Sequence, residues 1–202
     1  MRTAVFVSGN GSNLQALIDF KKIQDPSFEL VLVISNNADA YGLERAKKAG
    51  LATLAIPYKK RVNQAEFEKA AVAALKEAKV ELIALAGFLK LLSDEFVAAW
   101  EGRMINIHPS LLPAYPGLHI HRRVLEDGAS ETGCTVIYVD NGVDTGAIID
   151  QVSVPVLKDD TEDVLSARVL NQEHLLFPKV LNAVASGQVQ LVGGKVVHST
   201  KG

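Results

Sequence analysis

Short apolar runs that alternate with helical segments are the feature that most constrains the fold of this chain. Four runs rich in β-branched residues lie at residues 5–8, 30–34, 53–56 and 82–86, and helix-forming stretches separate them. Strands that are apolar at nearly every position are typical of a parallel sheet with both faces covered by helices. The first hundred residues therefore predict an α/β fold with a parallel sheet.

The pattern changes after residue 130. Further strand-like and helical segments lie, in order, at residues 135–139, 148–156, 161–185, 189–192 and 195–197. The last two flank Gly193-Gly194, which indicates a two-residue hairpin turn. We expect a mixed or antiparallel C-terminal part, joined with the parallel sheet into one domain over residues 1–202.

Charge and composition exclude several classes of function. The chain has 21 Lys and Arg residues against 23 Asp and Glu residues, so it offers no broad basic face for nucleic-acid phosphates. Cys134 is the only cysteine, so no internal disulfide can form. No apolar run approaches the roughly 20 residues that span a bilayer. We therefore expect a cytoplasmic protein with neither a nucleic-acid partner nor a membrane partner.

A glycine-rich turn, Ser8-Gly9-Asn10-Gly11-Ser12-Asn13, lies between the first predicted strand and the first predicted helix. Backbone N–H groups and the helix dipole can hold an anion at such a junction. The dinucleotide motif does not fit, because Leu14 replaces its third glycine and Asn36, rather than an acid, follows the second strand. A single phosphate fits better. The alternative is a tight turn that only caps the helix.

Asn106 and His108 form the most informative pair of residues. In a strand, Ile105 and Ile107 would face one side and leave Asn106 and His108 together on the other. Pro109 would end the strand there, at the edge where open α/β sheets form their ligand crevices. An amide donor beside an imidazole suits acyl transfer, with Asn106 on the oxyanion and His108 moving a proton. The alternative is a histidine with a structural hydrogen bond.

Asp144 lies in a polar loop between Asn141-Gly142 and Gly146, from which it could reach the crevice. A carboxylate beside His108 would favour the imidazolium form and so supply an acid. The alternative is an aspartate that stabilises its own turn.

These segments resemble the signature of the folate-dependent formyltransferases, and within that family the members that act on glycinamide ribonucleotide. The matching residues are, in order, 9–15, 86–88, 106, 108–113, 115–122, 135–144 and 168–174. The resemblance covers nearly the whole chain. It implies a Rossmann-like parallel sheet flanked by helices, with an antiparallel or mixed C-terminal extension.

The resemblance also implies roles for individual residues. The catalytic residues would be Asn106, His108 and Asp144. The ribonucleotide phosphate would bind Gly11, Ser12 and Asn13, and the rest of that substrate would bind Leu170, Asn171, Gln172 and Glu173. The folate would bind Phe88, Leu89, Lys90, Leu91 and Leu92 together with Asp140, Asn141, Gly142, Val143 and Asp144.

The activity that the resemblance implies is transfer of a formyl group from 10-formyltetrahydrofolate to the amine of glycinamide ribonucleotide, in de novo purine synthesis. Both partners would be small molecules, and no metal would be needed. Residues from about 1 to 100 would form the phosphate-binding half and the remainder the catalytic and folate-binding half. We expect a monomer or a weak homodimer.

One departure from the family concerns the folate site. Members often carry an arginine near position 64, whereas this chain has Gln64, with Arg61 nearby. That contact is left unassigned.

Two related activities are the nearest alternatives: formylation of methionyl-tRNA and hydrolysis of formyltetrahydrofolate. The tRNA enzymes carry a further C-terminal domain and a different sequence after Leu112-Pro113, and the hydrolases usually carry an N-terminal regulatory domain. We expect neither here. A non-catalytic nucleotide-binding protein would need the glycine turn but not the group of Asn106, His108 and Asp144.

His119 and His121, together with His108, could suggest a zinc site. On a helix, however, His119 and His121 would point roughly 200° apart, and Cys134 is distant in sequence. We expect the two histidines to begin a helix and to line the pocket.

Overall fold

The computed structural model describes residues 1–58 and 63–199. In chain order, the elements are β1 (Arg2–Val7), α1 (Ser12–Ile23), β2 (Glu29–Ser35), α2 (Tyr41–Lys48), β3 (Ala52–Ala55), α3 (Gln64–Glu77), β4 (Leu82–Leu85), α4 (Asp94–Ala99), β5 (Met104–His108), α5 (Ile120–Glu126), β6 (Glu131–Tyr138), β7 (Ile148–Pro155), α6 (Glu162–Ala185), β8 (Val189–Val192) and β9 (Lys195–His198).

One sheet contains seven strands in the order β3-β2-β1-β4-β5-β6-β7. The first five pair in parallel. The chain proceeds from β1 to β2 and β3 on one side, then crosses back to β4 on the other side of β1. The strand order therefore reverses between β1 and β4, and open α/β sheets form their ligand crevice at such a point.

The C-terminal part adds antiparallel pairing to this sheet. Strand β6 pairs antiparallel with β5, and β7 pairs antiparallel with β6. Strands β8 and β9 form a separate hairpin. Its turn residues Gly193 and Gly194 have φ angles of 56° and 75°, the left-handed backbone that a two-residue turn of this kind requires.

Helices cover both faces of the sheet because the buried strands are apolar on both sides. Alternate strand residues such as Val5, Val7 and Ile105 pack with α1, α2, α5 and α6. The intervening residues, such as Phe6 and Ile83, pack with α3 and α4. This two-sided burial explains why the strands are continuously apolar in the sequence.

The predicted fold class is confirmed: a mostly parallel sheet flanked by helices, with an antiparallel C-terminal part. The seven-stranded sheet takes strands from both halves of the predicted domain. Helix α6 continues through Pro178 without a break. In the described part of the chain, no helix has the length and apolar character needed to cross a membrane.

Candidate active site

Three segments of the predicted site meet at one edge of the sheet, where β1, β4 and β5 end. The Ala86 N–H donates to the Phe6 carbonyl at 2.9 Å, and the Ser8 N–H donates to the Gly87 carbonyl at 3.1 Å. Leu85, the last residue of β4, is paired with Asn106 on β5. The glycine turn, the segment after β4 and the Asn106–His108 pair therefore border the same crevice.

Asn106, His108 and Asp144 lie together, as the sequence predicts. The Asp144 Oδ2 atom is 3.4 Å from His108 Nδ1, and its Oδ1 atom accepts a long contact of 3.5 Å from Asn106 Nδ2. The Gly117 N–H donates to the same carboxylate at 2.9 Å. The His108 and Asp144 side chains are only 6% and 14% exposed, so water screens their interaction weakly.

The second ring nitrogen of His108 also faces an acceptor. Its Nε2 atom lies 2.9 Å from the Tyr115 carbonyl oxygen. A neutral imidazole has one N–H donor and can satisfy only one of the two acceptors, whereas an imidazolium satisfies both. Both ring nitrogens of His108 therefore face oxygen acceptors.

A polar network fixes the loop that carries the Tyr115 carbonyl. Thr135, which pairs with His108 across the sheet, donates from Oγ1 to the Ser110 carbonyl at 2.6 Å. Thr135 Oγ1 also accepts from the Leu112 N–H at 3.0 Å and from Gln151 Nε2 at 2.8 Å. These bonds attach the loop to β6 and β7 and so restrain the position of His108.

The glycine turn begins α1 with exposed backbone donors. Gly11 occupies the N-cap position with φ of 72°, and in the described residues no side chain caps this helix. The first-turn amides of Ser12 and Asn13 therefore keep their N–H groups for an anion, in the arrangement that successive left- and right-handed residues give. The predicted phosphate site has the geometry of an anion-binding turn.

The Asn13 side chain does not point into that turn. It is buried, and its Nδ2 atom donates to Glu173 Oε2 on α6 at 2.6 Å. Burial raises the pKa of the Glu173 carboxyl, and the bond from Asn13 partly opposes this shift. Only the backbone of Asn13 is therefore placed to contact a phosphate, and the side chain connects the turn to α6.

The remaining predicted ribonucleotide residues lie on α6 and do not share one direction. Successive helical residues are about 100° apart, so Leu170 and Glu173 face one side while Asn171 points away. Asn171 is exposed, Leu170 and Gln172 are half-buried, and Glu173 is buried. Glu173 is the member of this group that contacts the glycine turn.

The predicted folate segment after β4 divides between core and surface. Phe88 is buried and packs against the rings of Phe6 and Phe67, with centroids 5.3 Å and 5.7 Å away. Leu89 and Leu91 are 68% and 50% exposed. The ring of Phe88 therefore belongs to the core, whereas the two leucines leave apolar surface exposed.

The second predicted folate segment, the loop from Asp140 to Asp144, is held by its own hydrogen bonds. Asp140 Oδ1 accepts from the Gly142 N–H at 3.0 Å and from Thr145 Oγ1 at 2.8 Å. Val143 is 51% exposed, and Asp144 has φ of 55°. This turn directs the Asp144 carboxylate towards His108.

Position 64 does not supply the family's cation. Gln64 donates from Nε2 to Glu68 at 3.0 Å. Arg61 lies outside the described residues.

No metal cluster is present in the described part of the chain: nowhere do three or more His, Cys, Asp or Glu side chains lie close enough to hold an ion. His119 occupies the N-cap position of α5, as expected, with a left-handed backbone. Burial lowers the pKa of the His121 imidazole, which belongs to the first turn of that helix.

Sequence reasoning missed the groups that hold the side chains of the predicted catalytic residues. The Tyr115 carbonyl and the Gly117 N–H are backbone groups, so the residue type at these positions does not predict their role. Gly117 has φ of 84°, and a glycine between a proline and the next helix is a usable sign of such a turn. Thr135 and Arg45 were not singled out, because their partners are distant in sequence.

Comparison with known proteins identifies the class to which this fold and site belong. The family model described as formyl transferase matches residues 1–181. The chain belongs to the formyl transferase family.

Individual relatives carry more specific names than the family model does. The phosphoribosylglycinamide formyltransferase of Escherichia coli is 42% identical over 191 residues, which cover 95% of this chain and 90% of that protein. The chain is also 51% identical over 193 residues to the trifunctional purine biosynthetic protein adenosine-3 of Drosophila pseudoobscura pseudoobscura, but it spans only 14% of that protein's length.

Solved structures agree with these relatives. The glycinamide ribonucleotide transformylase 1 of Symbiobacterium toebii superposes with a TM-score of 0.92 at 40% identity, covering 99% of this chain and 94% of that one. The phosphoribosylglycinamide formyltransferase of Brucella melitensis has a TM-score of 0.85 at 43% identity, covering 98% of both chains.

Proposed function

We propose that this chain transfers the formyl group of 10-formyltetrahydrofolate to the amine of glycinamide ribonucleotide, giving the formylated ribonucleotide and tetrahydrofolate in de novo purine synthesis. The observation that carries this proposal is the convergence of Asn106, His108 and Asp144 at the end of β5. The family's use of a formyl-folate and the names of the relatives support the two substrates.

Asn106 and His108 would stabilise the transition state. The neutral amine attacks the formyl carbon, and the carbonyl oxygen becomes an oxyanion. The Asn106 Nδ2 and His108 Nδ1 donors now rest against Asp144 at 3.5 Å and 3.4 Å. In the proposed transition state both donors turn from the carboxylate to the oxyanion, and stabilising it is the main catalytic effect.

The reaction then needs protons moved rather than a covalent enzyme intermediate. The attacking nitrogen loses a proton as the tetrahedral intermediate forms, and the folate nitrogen gains one as it leaves. His108 would supply or shuttle this proton, and Asp144 would stabilise its imidazolium form. The chemistry requires no metal ion.

The two substrates would approach the group from different sides. The glycine turn, Gly11 to Asn13, would hold the phosphate, and Glu173 would bind the ribose and amine region. The folate would lie between the segment from Phe88 to Leu92 and the loop from Asp140 to Asp144. Holding both reactants at the end of β5 lowers the entropic part of the barrier.

The direct test is a formyl-transfer assay with the purified chain, 10-formyltetrahydrofolate and glycinamide ribonucleotide, after dialysis against a strong chelator. We expect tetrahydrofolate and formylated ribonucleotide to appear in equal amounts, and added zinc to have no effect. His108→Ala, carried through the same purification, is the matched control. Formate release without formylated ribonucleotide would indicate a hydrolase and contradict the proposal.

A further inference from the structure

Helix α2 packs directly against the glycine turn, backbone on backbone. The Gly42 N–H donates to the Gly9 carbonyl at 3.0 Å. A Cβ atom added at Gly11 would lie 2.5 Å from the Gly42 Cα atom, closer than real Cβ contacts allow. The first turn of α2 is therefore the surface on which the glycine turn rests.

Arg45, one helical turn further along α2, holds the same turn with its side chain. Its Nε atom donates to the Asn10 carbonyl at 2.9 Å, and its Nη2 atom donates to Asn10 Oδ1 at 3.0 Å. Its Nη1 atom reaches Gln15 Oε1 at 3.3 Å, and the guanidinium lies over the Tyr41 ring at 4.8 Å. A planar fork with two bonds to one residue fixes direction as well as distance.

The bonded carbonyl belongs to the peptide that joins Asn10 to Gly11. In a trans peptide, the C=O and N–H groups point in opposite directions. A cation on the Asn10 oxygen therefore lies behind the Gly11 N–H, polarises it and fixes its direction. Arg45 also lines, with Ser12, the cavity of about 800 Å³ between α1 and α6.

We propose that Arg45 is a positioning residue for the substrate phosphate. It orients and polarises the Gly11 N–H from behind, and it adds a fixed positive charge next to a turn that carries no charged side chain of its own. This inference rests on the proposed phosphate site at Gly11 to Asn13. It assigns a role to α2, an element that carries none of the residues of the proposed catalytic and binding site.

The test compares Arg45→Met, Arg45→Lys and Lys48→Met. Lys48 is a matched control, since it lies on α2 and also faces the Tyr41 ring, at 5.8 Å. Each variant is assayed with glycinamide ribonucleotide and with the same glycinamide riboside lacking the 5′-phosphate, after a thermal melt has shown that it is folded.

Arg45→Met should raise KM for the ribonucleotide about tenfold or more, since charged hydrogen bonds contribute this much. Its kcat and folate KM should stay within about twofold, and the phosphate-free riboside should react as with wild type. Arg45→Lys should recover little, because an ammonium does not reproduce the fork. Lys48→Met should match wild type.

Three outcomes would overturn the inference: an unchanged KM in Arg45→Met, an equal loss with the ribonucleotide and the riboside, or full recovery in Arg45→Lys. Failure of the proposed phosphate site is distinguishable from these. In that case, wild type itself would use the riboside as well as the ribonucleotide, and the inference would fall with it.

Discussion

The glycine turn after β1 and the proposed catalytic group at the end of β5 lie at the same edge of one sheet but differ in the chemical groups that they present. The turn presents backbone N–H groups, and its shape depends on a left-handed Gly11 pressed against Gly42. The catalytic group presents side chains: His108 Nδ1 and Asn106 Nδ2 lie 3.4 Å and 3.5 Å from the carboxylate oxygens of Asp144. In the proposed function, the first region would bind the phosphate and the second would supply donors to the oxyanion.

This difference teaches how each region can be broken. Removing a side chain abolishes a donor in the catalytic group but leaves its surroundings intact. The turn relies on backbone N–H groups, which truncating a side chain does not remove, so it is damaged most directly by adding atoms or by removing its supports. Binding and chemistry should therefore be separable by mutation.

The largest effect should come from the catalytic side chains. His108→Ala and Asn106→Ala should each lower kcat by about 10²-fold or more, the usual cost of losing an oxyanion donor. Steady-state kinetics at saturating substrates measures this, with KM for both substrates as the internal control. A loss confined to KM would mean that these residues bind substrate and do not stabilise the transition state.

A smaller but more selective effect should follow from an added methyl group in the turn. Gly11→Ala places a Cβ 2.5 Å from Gly42 and forces a left-handed alanine, so the donors must move. We expect KM for the ribonucleotide to rise about 10-fold to 10²-fold, with the folate KM unchanged.

Gly9→Ala is the matched control, because a Cβ there meets no atom of the described residues within 4 Å. If Gly9→Ala and Gly11→Ala behaved alike, the close packing at Gly11 would not be what shapes the phosphate site. A folate defect with normal ribonucleotide binding would mean that the two subsites are exchanged.

Asp144→Asn should show that the catalytic group acts as a unit. The change keeps the shape but removes the charge that faces His108, so kcat should fall about tenfold or more. Combined with His108→Ala, the loss should be much smaller than the product of the single losses, because the carboxylate acts through the imidazole. Multiplicative losses would assign Asp144 to another task, such as ordering its loop.

The smallest effect concerns the contact that joins the turn to α6. Burial raises the pKa of Glu173 above its unfolded value near 4.5, so the folded chain binds the extra proton. The stability that this proton contributes is present below that unfolded value and is lost as the pH rises through the folded pKa. Denaturant unfolding across this range should show a declining free energy that Glu173→Gln flattens.

Asn13→Ala sharpens the same prediction. The hydrogen bond from the Asn13 side chain lowers the pKa of Glu173, so removing this bond should extend the decline in unfolding free energy to higher pH. Ser12→Ala, on the same turn, is the control and should leave the slope unchanged. An identical pH dependence in wild type, Glu173→Gln and Asn13→Ala would show that Glu173 does not couple proton binding to folding.

Local patterns were sufficient to predict most of the fold. Continuous apolar runs define β1, β2 and β4, and Gly193-Gly194 defines the last hairpin, because each signal lies within a few residues of its effect. The period of two in a strand also placed Asn106 and His108 on one face. The polar loop suggested that Asp144 could reach them, but the family resemblance was needed to choose this over a turn-stabilising aspartate, since nothing local links residues so far apart in sequence.

What escaped prediction depends on tertiary contacts. The bond from the Asn13 side chain to Glu173, 160 residues away, has no signal in the local sequence. The packing of the Phe88 ring among the core phenylalanines was likewise not predicted. In the sequence Arg45 resembles any surface cation, because its bonds to Asn10 form only in the folded chain.

The separation of binding from chemistry is tested most directly by calorimetric titration of glycinamide ribonucleotide into His108→Ala and Gly11→Ala. We predict a Kd for His108→Ala within about threefold of wild type, because its contribution is made in the transition state. Gly11→Ala should bind about tenfold or more weakly. Loss of binding in His108→Ala, or wild-type affinity in a folded Gly11→Ala, would contradict the account.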